Sequence, residues 1–299
     1  MKIVSLLPSA TEILFAVGAG PDVVGVTHEC DFPPQARGLP HLTSSALPSV
    51  RRAADIDRHV RRYLHAGSSL YHLDADLLER LQPDLIVTQE LCEVCAVSYS
   101  IVDRAARRLG TDARIVSLEP SSLEDVYANV CTLGNLIGHR ANADALVVSL
   151  RERVARVAER WCHREVSNDR ERKPRVLVLE WTDPPMSAGH WTPGLVEMAG
   201  GIPVLANPGA NSQVLAWEAI ESADPDEIIV APCGFDLERT REAVDELAEN
   251  PQWTALRAVR EGRIHLVDGN QYVNRPGPRL VDTIEIFASL LGGQVRDVV

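Results

Sequence analysis

Short apolar runs alternate with amphipathic stretches along almost the whole chain. In the N-terminal half the apolar runs predict four strands, at Ile3–Leu6, Val23–Val26, Leu85–Thr88 and Arg114–Leu118. Thr11–Val17 has the spacing of a first helix, with Ser9 in position to cap it. Because buried strands that alternate with helices are typical of parallel sheets, the pattern predicts an α/β fold.

A long helical pattern occupies the middle of the chain. Its apolar residues keep helical spacing over 123–163, and a break is predicted near Gly134–Gly138. A polar connection follows at 165–174, and the strand Arg175–Leu179 opens the C-terminal half. Within residues 2–291 we therefore predict two Rossmann-like lobes joined by a long helix, namely an N-terminal lobe (1–121), a linker helix (122–165) and a C-terminal lobe (166–299).

The two halves contain a repeated segment. In each, an acidic residue lies seven positions before a Pro-Asp pair, and an apolar strand follows; the acids are Asp76 and Glu218. The segment predicts a short helix, a turn fixed by proline and a buried strand. Either the lobes arose by duplication, or the match is a coincidence, since this helix-turn-strand arrangement is common.

Cysteine, histidine and aromatic residues cluster just after the predicted strands. His28 and Cys30 follow the second strand, and Cys92 and Cys95 follow the third. In the C-terminal half, the residues in this position are Trp181, His190, Trp191, Cys233 and Phe235. Because ligands of open α/β sheets bind beyond the carboxyl ends of the strands, the pattern predicts a ligand cleft between the lobes.

Composition narrows the range of functions. A net charge of −12 argues against a nucleic-acid surface, and six cysteines in 299 residues do not indicate a disulfide scaffold. No apolar segment is long enough to predict a membrane span, and no secretory signal is recognised. The sequence as written is therefore expected to be cytoplasmic, or periplasmic or an extracellular lipoprotein if a leader has been omitted.

Several motifs together resemble the substrate-binding components of ABC importers for iron-siderophores and cobalamin. The resemblance rests on Lys2-Ile-Val-Ser-Leu-Leu-Pro-Ser-Ala-Thr-Glu12, Val24-Gly-Val26 before Pro33-Pro34, Leu81-Gln-Pro-Asp-Leu-Ile-Val87, Ala223-Asp-Pro-Asp-Glu-Ile-Ile-Val230, Trp253 to Ile264 and Arg275-Pro-Gly-Pro-Arg279. It implies a non-enzymatic binding protein with a stiff helical linker and a site between two lobes. The segments at 28–30, 92–97 and 232–236 resemble a leaderless, cobalamin-binding-like subgroup.

The resemblance also implies partners. Members of this family dock to an ABC permease through one acidic residue on each lobe, and Asp76 and Glu218 occupy the matching positions. Asp76 departs from the pattern, because glutamate is usual there. Two solvated acids on helix faces are the alternative interpretation.

Seven residues are candidates for binding a corrinoid such as cobalamin, or a related metal chelate. Aromatic rings suit stacking on a flat macrocycle, imidazole is an axial ligand for cobalt or iron, and guanidinium groups bind carboxylates or phosphates. The candidates are Trp181, His190, Trp191, Phe235, Asn270, Tyr272 and Arg275. Core packing of the rings and a local salt bridge of the arginine are the alternatives.

A second hypothesis is a cytoplasmic metal- or redox-handling protein on the same fold, possibly an enzyme. Thiolates and imidazoles bind zinc or an Fe–S cluster, and the candidate ligands are His28, Cys30, Cys92, Cys95 and Cys233. Their spacing matches no standard metal motif. Because the chain also has no hydrolase elbow, Walker loop or dinucleotide fingerprint, the first hypothesis is preferred.

Overall fold

The protein is described by a computed structural model that covers residues 1–48, 50–66, 69–89, 101–102, 113–166 and 172–293, with the backbone alone for 162–166. Its contacts divide the chain into two units. The N-terminal unit comprises Met1–Val50, Arg58–Glu119 and Asp125–Val148. The C-terminal unit comprises Arg51–Asp57, Pro120–Glu124 and Ser149–Val299. The lobe boundaries expected from the sequence stay a prediction.

The N-terminal unit contains a four-stranded parallel sheet in the order β2-β1-β5-β6. Its strands are β1 (Ile3–Ser5), β2 (Val23–Val26), β5 (Leu85–Thr88) and β6 (Arg114–Ser117). A separate antiparallel pair is formed by β3 (Thr43–Ser45) and β4 (Tyr71–Leu73). The four predicted strands are confirmed to within one residue at each end.

Both faces of this sheet are buried. Ile3 and Val87 belong to one hydrophobic cluster, whereas their neighbours Val4 and Ile86 belong to another. Since successive side chains of a strand point to opposite faces, the core lies on both sides of the sheet. This arrangement explains why the strands read as continuous apolar runs in the sequence.

In the first half of the chain, the helices whose bounds lie among the described residues are α1 (Pro8–Ala16), α2 (Ala53–His65), α3 (Ala75–Leu81), α4 (Leu123–Leu136) and α5 (Arg140–Val166). The predicted break in the central helix is confirmed, since α4 and α5 are separate helices. The prediction that Ser9 caps the first helix is wrong. The helix begins one residue earlier, at Pro8, because proline fits the first helical position, and Ser9 is buried inside the first turn.

The C-terminal unit contains a six-stranded mixed sheet. Its main order is β10-β8-β7-β11-β12, with β9 paired in parallel to the start of β7. The strands are β7 (Arg175–Thr182), β8 (Pro185–Ser187), β9 (Ile202–Pro203), β10 (Gln213–Val214), β11 (Glu227–Val230) and β12 (Ile264–Leu266). β7 runs three residues beyond its predicted end and forms an antiparallel hairpin with β8.

The remaining helices are α6 (Thr192–Met198), α7 (Trp217–Ala223), α8 (Leu237–Leu247), α9 (Pro251–Ala255), α10 (Arg257–Arg260) and α11 (Leu280–Leu291). A π-helical turn spans Gly269–Val273. Across the described ranges, none of the helices has the length and apolar character needed to cross a membrane.

The repeated segment has the same structure in both units. Asp84 accepts a hydrogen bond from the backbone N–H of Lys2 at 2.7 Å, and Asp226 accepts one from the N–H of Arg175 at 2.9 Å. In return, the N–H of each aspartate donates to the carbonyl of that same partner at 2.8 Å. Each Pro-Asp pair therefore fixes the start of the first strand of its unit. The two parallel cores are structural repeats, with β1, β2, β5 and β6 matching β7, β9, β11 and β12.

Candidate functional site

The predicted ligand-binding residues lie on three segments of the C-terminal unit. β7, β11 and β12 are parallel, so their carboxyl ends share one edge of the sheet. We call the segments at and beyond these carboxyl ends, 180–191, 231–236 and 267–275, the strand-end loops; the first of them includes the last three residues of β7. These loops contain all seven candidates, which are Trp181, His190, Trp191, Phe235, Asn270, Tyr272 and Arg275.

Direct contacts join the three strand-end loops. The rings of Trp181 and Phe235 meet edge-on with centroids 5.3 Å apart. The backbone N–H of Asn270 donates to the carbonyl of Phe235 at 3.0 Å. The indole Nε1 of Trp191 donates to the carbonyl of Val273 at 2.8 Å. The structure therefore brings the three loops that contain the candidates together at one edge of this unit's sheet.

Phe235 supports the surface of these loops but does not form it. Its side chain is 2% exposed and packs with Ala53, Ala243 and Trp181. The guanidinium carbon of Arg239 lies 4.0 Å from the centroid of its ring. Because both faces and edges are covered in this way, the expectation that Phe235 stacks on a ligand is corrected. Trp181 is only partly buried.

His190 has a special backbone conformation. Its φ is +51°, a left-handed value that is uncommon for residues other than glycine. The conformation is fixed on both sides, since its N–H donates to Ala210 at 2.6 Å and its carbonyl accepts from Gly209 at 2.8 Å. The imidazole stacks on Trp191 with centroids 5.6 Å apart. Burial lowers the pKa of His190, so the ring is neutral at pH 7.

A buried carboxyl is hydrogen-bonded to the backbone of Gly189, the residue before His190. Glu180, near the end of β7, is hydrogen-bonded to the Ser212 hydroxyl and the Gly189 N–H, but burial outweighs these bonds and raises its pKa to about 7. The backbone of Gly189 passes close to the loop at 205–212. A Cβ at this position would lie 2.5 Å from the carbonyl oxygen of Ala210. Only glycine permits this approach, so the hairpin and the 205–212 loop form one packed unit.

The third strand-end loop is held by its own polar side chains. Asp268 accepts the N–H of Gln271 at 2.7 Å, and burial raises its pKa. Arg275 is 6% exposed and donates to the Oδ1 of Asn270 at 2.9 Å. The expectation that Arg275 binds an anionic group of the ligand is therefore corrected, since its side chain is buried and holds the loop. Tyr272 remains partly exposed.

The candidate metal ligands do not assemble where they are described. Cys30 is 2% exposed in the core of the N-terminal unit, with its Sγ 3.0 Å from the Thr11 hydroxyl. His28 Nδ1 lies 2.7 Å from the Thr43 hydroxyl, and Cys233 is exposed in the C-terminal unit.

In the part of the chain that the structure describes, no three His, Cys, Asp or Glu side chains are grouped to hold a metal ion. Cys92 and Cys95 lie outside that part. The expectation that Cys30 serves as a ligand is corrected, because its thiol is packed among apolar side chains and hydrogen-bonded. Zinc or an Fe–S cluster gains no support from the described residues.

Comparison with known proteins identifies the family. The family model described as periplasmic binding protein matches residues 3–270. The chain belongs to the periplasmic binding protein family. YvrC of Bacillus subtilis, an uncharacterized ABC transporter substrate-binding lipoprotein, is 27% identical over 297 residues, covering 96% of this chain and 78% of the relative. A cobalamin-binding protein of Halobacterium salinarum is 24% identical, covering 96% of this chain and 68% of the relative.

A solved structure gives the same fold. A periplasmic heme-binding protein from Pseudomonas aeruginosa superimposes with a TM-score of 0.74 at 22% identity, covering 100% of this chain and 95% of the other. The predictions of the family, of an α/β fold with two Rossmann-like lobes and of a binding protein rather than an enzyme are thereby confirmed. The predicted cleft between the lobes stays a prediction.

The two acids expected to dock a permease occupy equivalent positions in this periplasmic binding protein. Asp76 and Glu218 are each the second residue of a seven-residue helix, α3 or α7, and both are exposed. Glu218 accepts a hydrogen bond from Gln252 at 3.1 Å. The geometry is that of two solvent-facing helix acids, and docking stays a prediction.

Sequence reasoning missed one residue of the strand-end loops and one residue that packs against them. Glu180 directly follows the apolar run of β7, and an acid at the end of a buried strand was a usable signal. Arg239 gave no signal, because it is one of several charged residues on α8 and only the packing of that helix places it over Phe235.

Proposed function

We propose that this periplasmic binding protein is the substrate-binding component of an ABC importer and that its ligand is a corrinoid such as cobalamin, or a related metal chelate. The observation that carries the proposal is the imidazole of His190. It is neutral and fixed in position, and its ring nitrogens have no hydrogen-bond partner among the described residues. A neutral imidazole in that state is suited to coordinate cobalt or iron.

The surroundings of His190 suit a large, flat ligand. Trp181, Trp191 and Tyr272 are partly exposed on the strand-end loops, and their rings offer apolar area with defined orientation. The indole N–H of Trp191 is already satisfied by a carbonyl, so its ring is fixed before a ligand arrives. Preorganised rings lose little conformational entropy on binding, which favours affinity.

Two further elements complete the proposal. Asp76 and Glu218 dock the permease, where exposed carboxylates would pair with basic side chains. The protein acts outside the cytoplasmic membrane, in the periplasm or attached to the cell surface, since a relative is named as a lipoprotein and an importer takes its ligand from that side.

Fluorescence titration with cyanocobalamin tests the proposal. All five tryptophans lie in the C-terminal unit, so quenching reports on the unit that contains the strand-end loops. Saturable quenching at micromolar concentration is expected. If cyanocobalamin, ferric siderophores and hemin all fail to bind, the proposed function is wrong; if hemin alone binds, the ligand is a heme.

A second titration tests the role of His190. Aquocobalamin has an exchangeable water on cobalt, and replacement of that water by imidazole shifts the visible bands. We expect the shift with the wild type and with His72→Gln, an exposed histidine on β4. His190→Gln should bind without the shift. A shift that survives in His190→Gln would assign the ligation to another residue.

A further inference from the structure

Arg239 lies against the aromatic pair of the strand-end loops. It is in the first turn of α8, and its guanidinium carbon stands 4.0 Å from the centroid of Phe235. Phe235 in turn contacts Trp181 edge-on. A positive charge therefore lies over Phe235, the ring that supports Trp181, and Trp181 is proposed to face the ligand.

The acids near Arg239 are engaged elsewhere. Asp236 caps α8, because its Oδ1 accepts the backbone N–H of Arg239 at 2.8 Å. Glu242 accepts three hydrogen bonds from Arg51, at 2.7, 2.8 and 3.1 Å. Among the described residues, the guanidinium of Arg239 donates no hydrogen bond and forms no ion pair, and its Nε is buried.

Such a cation is electrostatically unsatisfied. Burial lowers the pKa of Arg239, and the charge of Arg51 lowers it further, while Asp236 and Glu242 offset only part of this effect. The guanidinium nevertheless stays protonated at all ordinary pH values. The amino end of α8 adds positive potential at the same place. An anion bound here would find a cation that has already lost part of its hydration.

We propose that Arg239, which is partly exposed, binds an anionic group of the ligand, a carboxylate or a phosphodiester, through its guanidinium group. The inference rests on the proposed function and adds a chemical class to it. Guanidinium groups match both anions with paired hydrogen bonds, and stacking on Phe235 fixes the plane of the group. Arg239 would thus select ligands that carry an acid beside their flat part.

Two corrinoids that differ in the nucleotide loop, which carries the phosphodiester, provide the test, and the arginine variants separate the effect of the phosphodiester from that of the rest of the loop. Cyanocobalamin carries a nucleotide with a phosphodiester, and dicyanocobinamide lacks it. The wild type should bind cyanocobalamin about tenfold or more tightly than dicyanocobinamide, as expected for a charge-assisted pair. Arg239→Gln should lose this preference by weakening cyanocobalamin alone. The matched control is Arg241→Gln, which removes an exposed charge from the same helix and should leave both affinities unchanged.

The outcomes separate this inference from the proposed function. If the wild type binds both corrinoids equally, or if Arg239→Gln behaves like the wild type, the inference is wrong while corrinoid binding stands. If the wild type binds neither corrinoid, the corrinoid proposal is wrong. Hemin, with two carboxylates, and inorganic phosphate then serve as probes. A loss of their quenching in Arg239→Gln but not in Arg241→Gln would support the inference, and an equal or absent response would overturn it.

Discussion

Replacing Glu180 by glutamine removes the buried carboxyl that is hydrogen-bonded to Ser212 and Gly189, while keeping the size and hydrogen-bonding ability of the side chain. In the native protein, burial raises the pKa of this group from 4.5 to about 7. In the unfolded chain it returns to its ordinary value. The native state therefore binds more protons than the unfolded state between these two values, and stability must fall as the pH rises through this window.

The magnitude follows from the pKa difference. Each pH unit corresponds to about 1.4 kcal/mol, so the full effect is on the order of 3 kcal/mol, and it is complete above about pH 7. At pH 8 the native wild type holds an ionised carboxylate in a buried position, whereas Glu180→Gln has no charge at this position. We expect the variant to be more stable than the wild type at pH 8 by up to about 3 kcal/mol, and by less than about 1 kcal/mol at pH 5.

Urea denaturation followed by tryptophan fluorescence measures this difference, because every tryptophan belongs to the C-terminal unit. Glu197→Gln, an exposed position on α6, is the control and should run parallel to the wild type. If the curves of stability against pH for Glu180→Gln and the wild type are parallel from pH 5 to 8, the carboxyl is ionised throughout and the reasoning from burial is refuted.

Three other changes test the fold and the docking proposal. Gly189→Ala should cost about 1–3 kcal/mol in urea denaturation, because a Cβ meets backbone of the facing loop, whereas Gly194→Ala, with nothing within 4 Å, should be neutral or slightly stabilising. Asp226→Asn should cost about 2 kcal/mol or more of unfolding free energy at pH 7. Burial alone would raise the pKa of Asp226, but its hydrogen bonds and its arginine partners lower it overall. The loss should therefore shrink in acid, where the wild-type carboxyl becomes protonated. Asp76→Asn and Glu218→Gln should weaken binding to the purified permease without altering corrinoid affinity; unchanged permease binding would contradict the docking role.

The secondary structure of the parallel cores was predictable because it depends on short-range signals. The strand β5 reads as an uninterrupted apolar run after Pro83-Asp84, and the same signal marks β11 after Pro225-Asp226. A strand that is buried on both faces must consist mainly of apolar residues, so an apolar run in the sequence is enough to predict the strand. The hairpin of β7 and β8 was not predicted, since its apolar pattern is broken by Pro184-Pro185.

The burial of individual side chains was much less predictable than the secondary structure. Phe235 and Trp181 both follow apolar runs, yet only Trp181 keeps an exposed face, because the cover over Phe235 comes from α8 and from Ala53, far away in sequence. Cys30 gave the same sequence signal as Cys233, but one thiol is buried in a core and the other is exposed. Contacts between residues that are far apart in the sequence determine the burial of these side chains, and such contacts cannot be predicted from a single sequence.

The structural repeat shows where the candidate residues lie relative to the parallel core that both units share. The matched anchors of Lys2 and Arg175 make Leu7 of the N-terminal unit the equivalent, in the repeat, of Glu180 in the C-terminal unit. At Leu7 the chain turns at once into α1, whereas at Glu180 the strand continues into the hairpin before α6 begins. Glu180 and the candidate residues Trp181, His190 and Trp191 lie in that added segment. The parallel core that both units share therefore provides stability. The segment added at the end of β7 provides the residues for which we propose ligand binding.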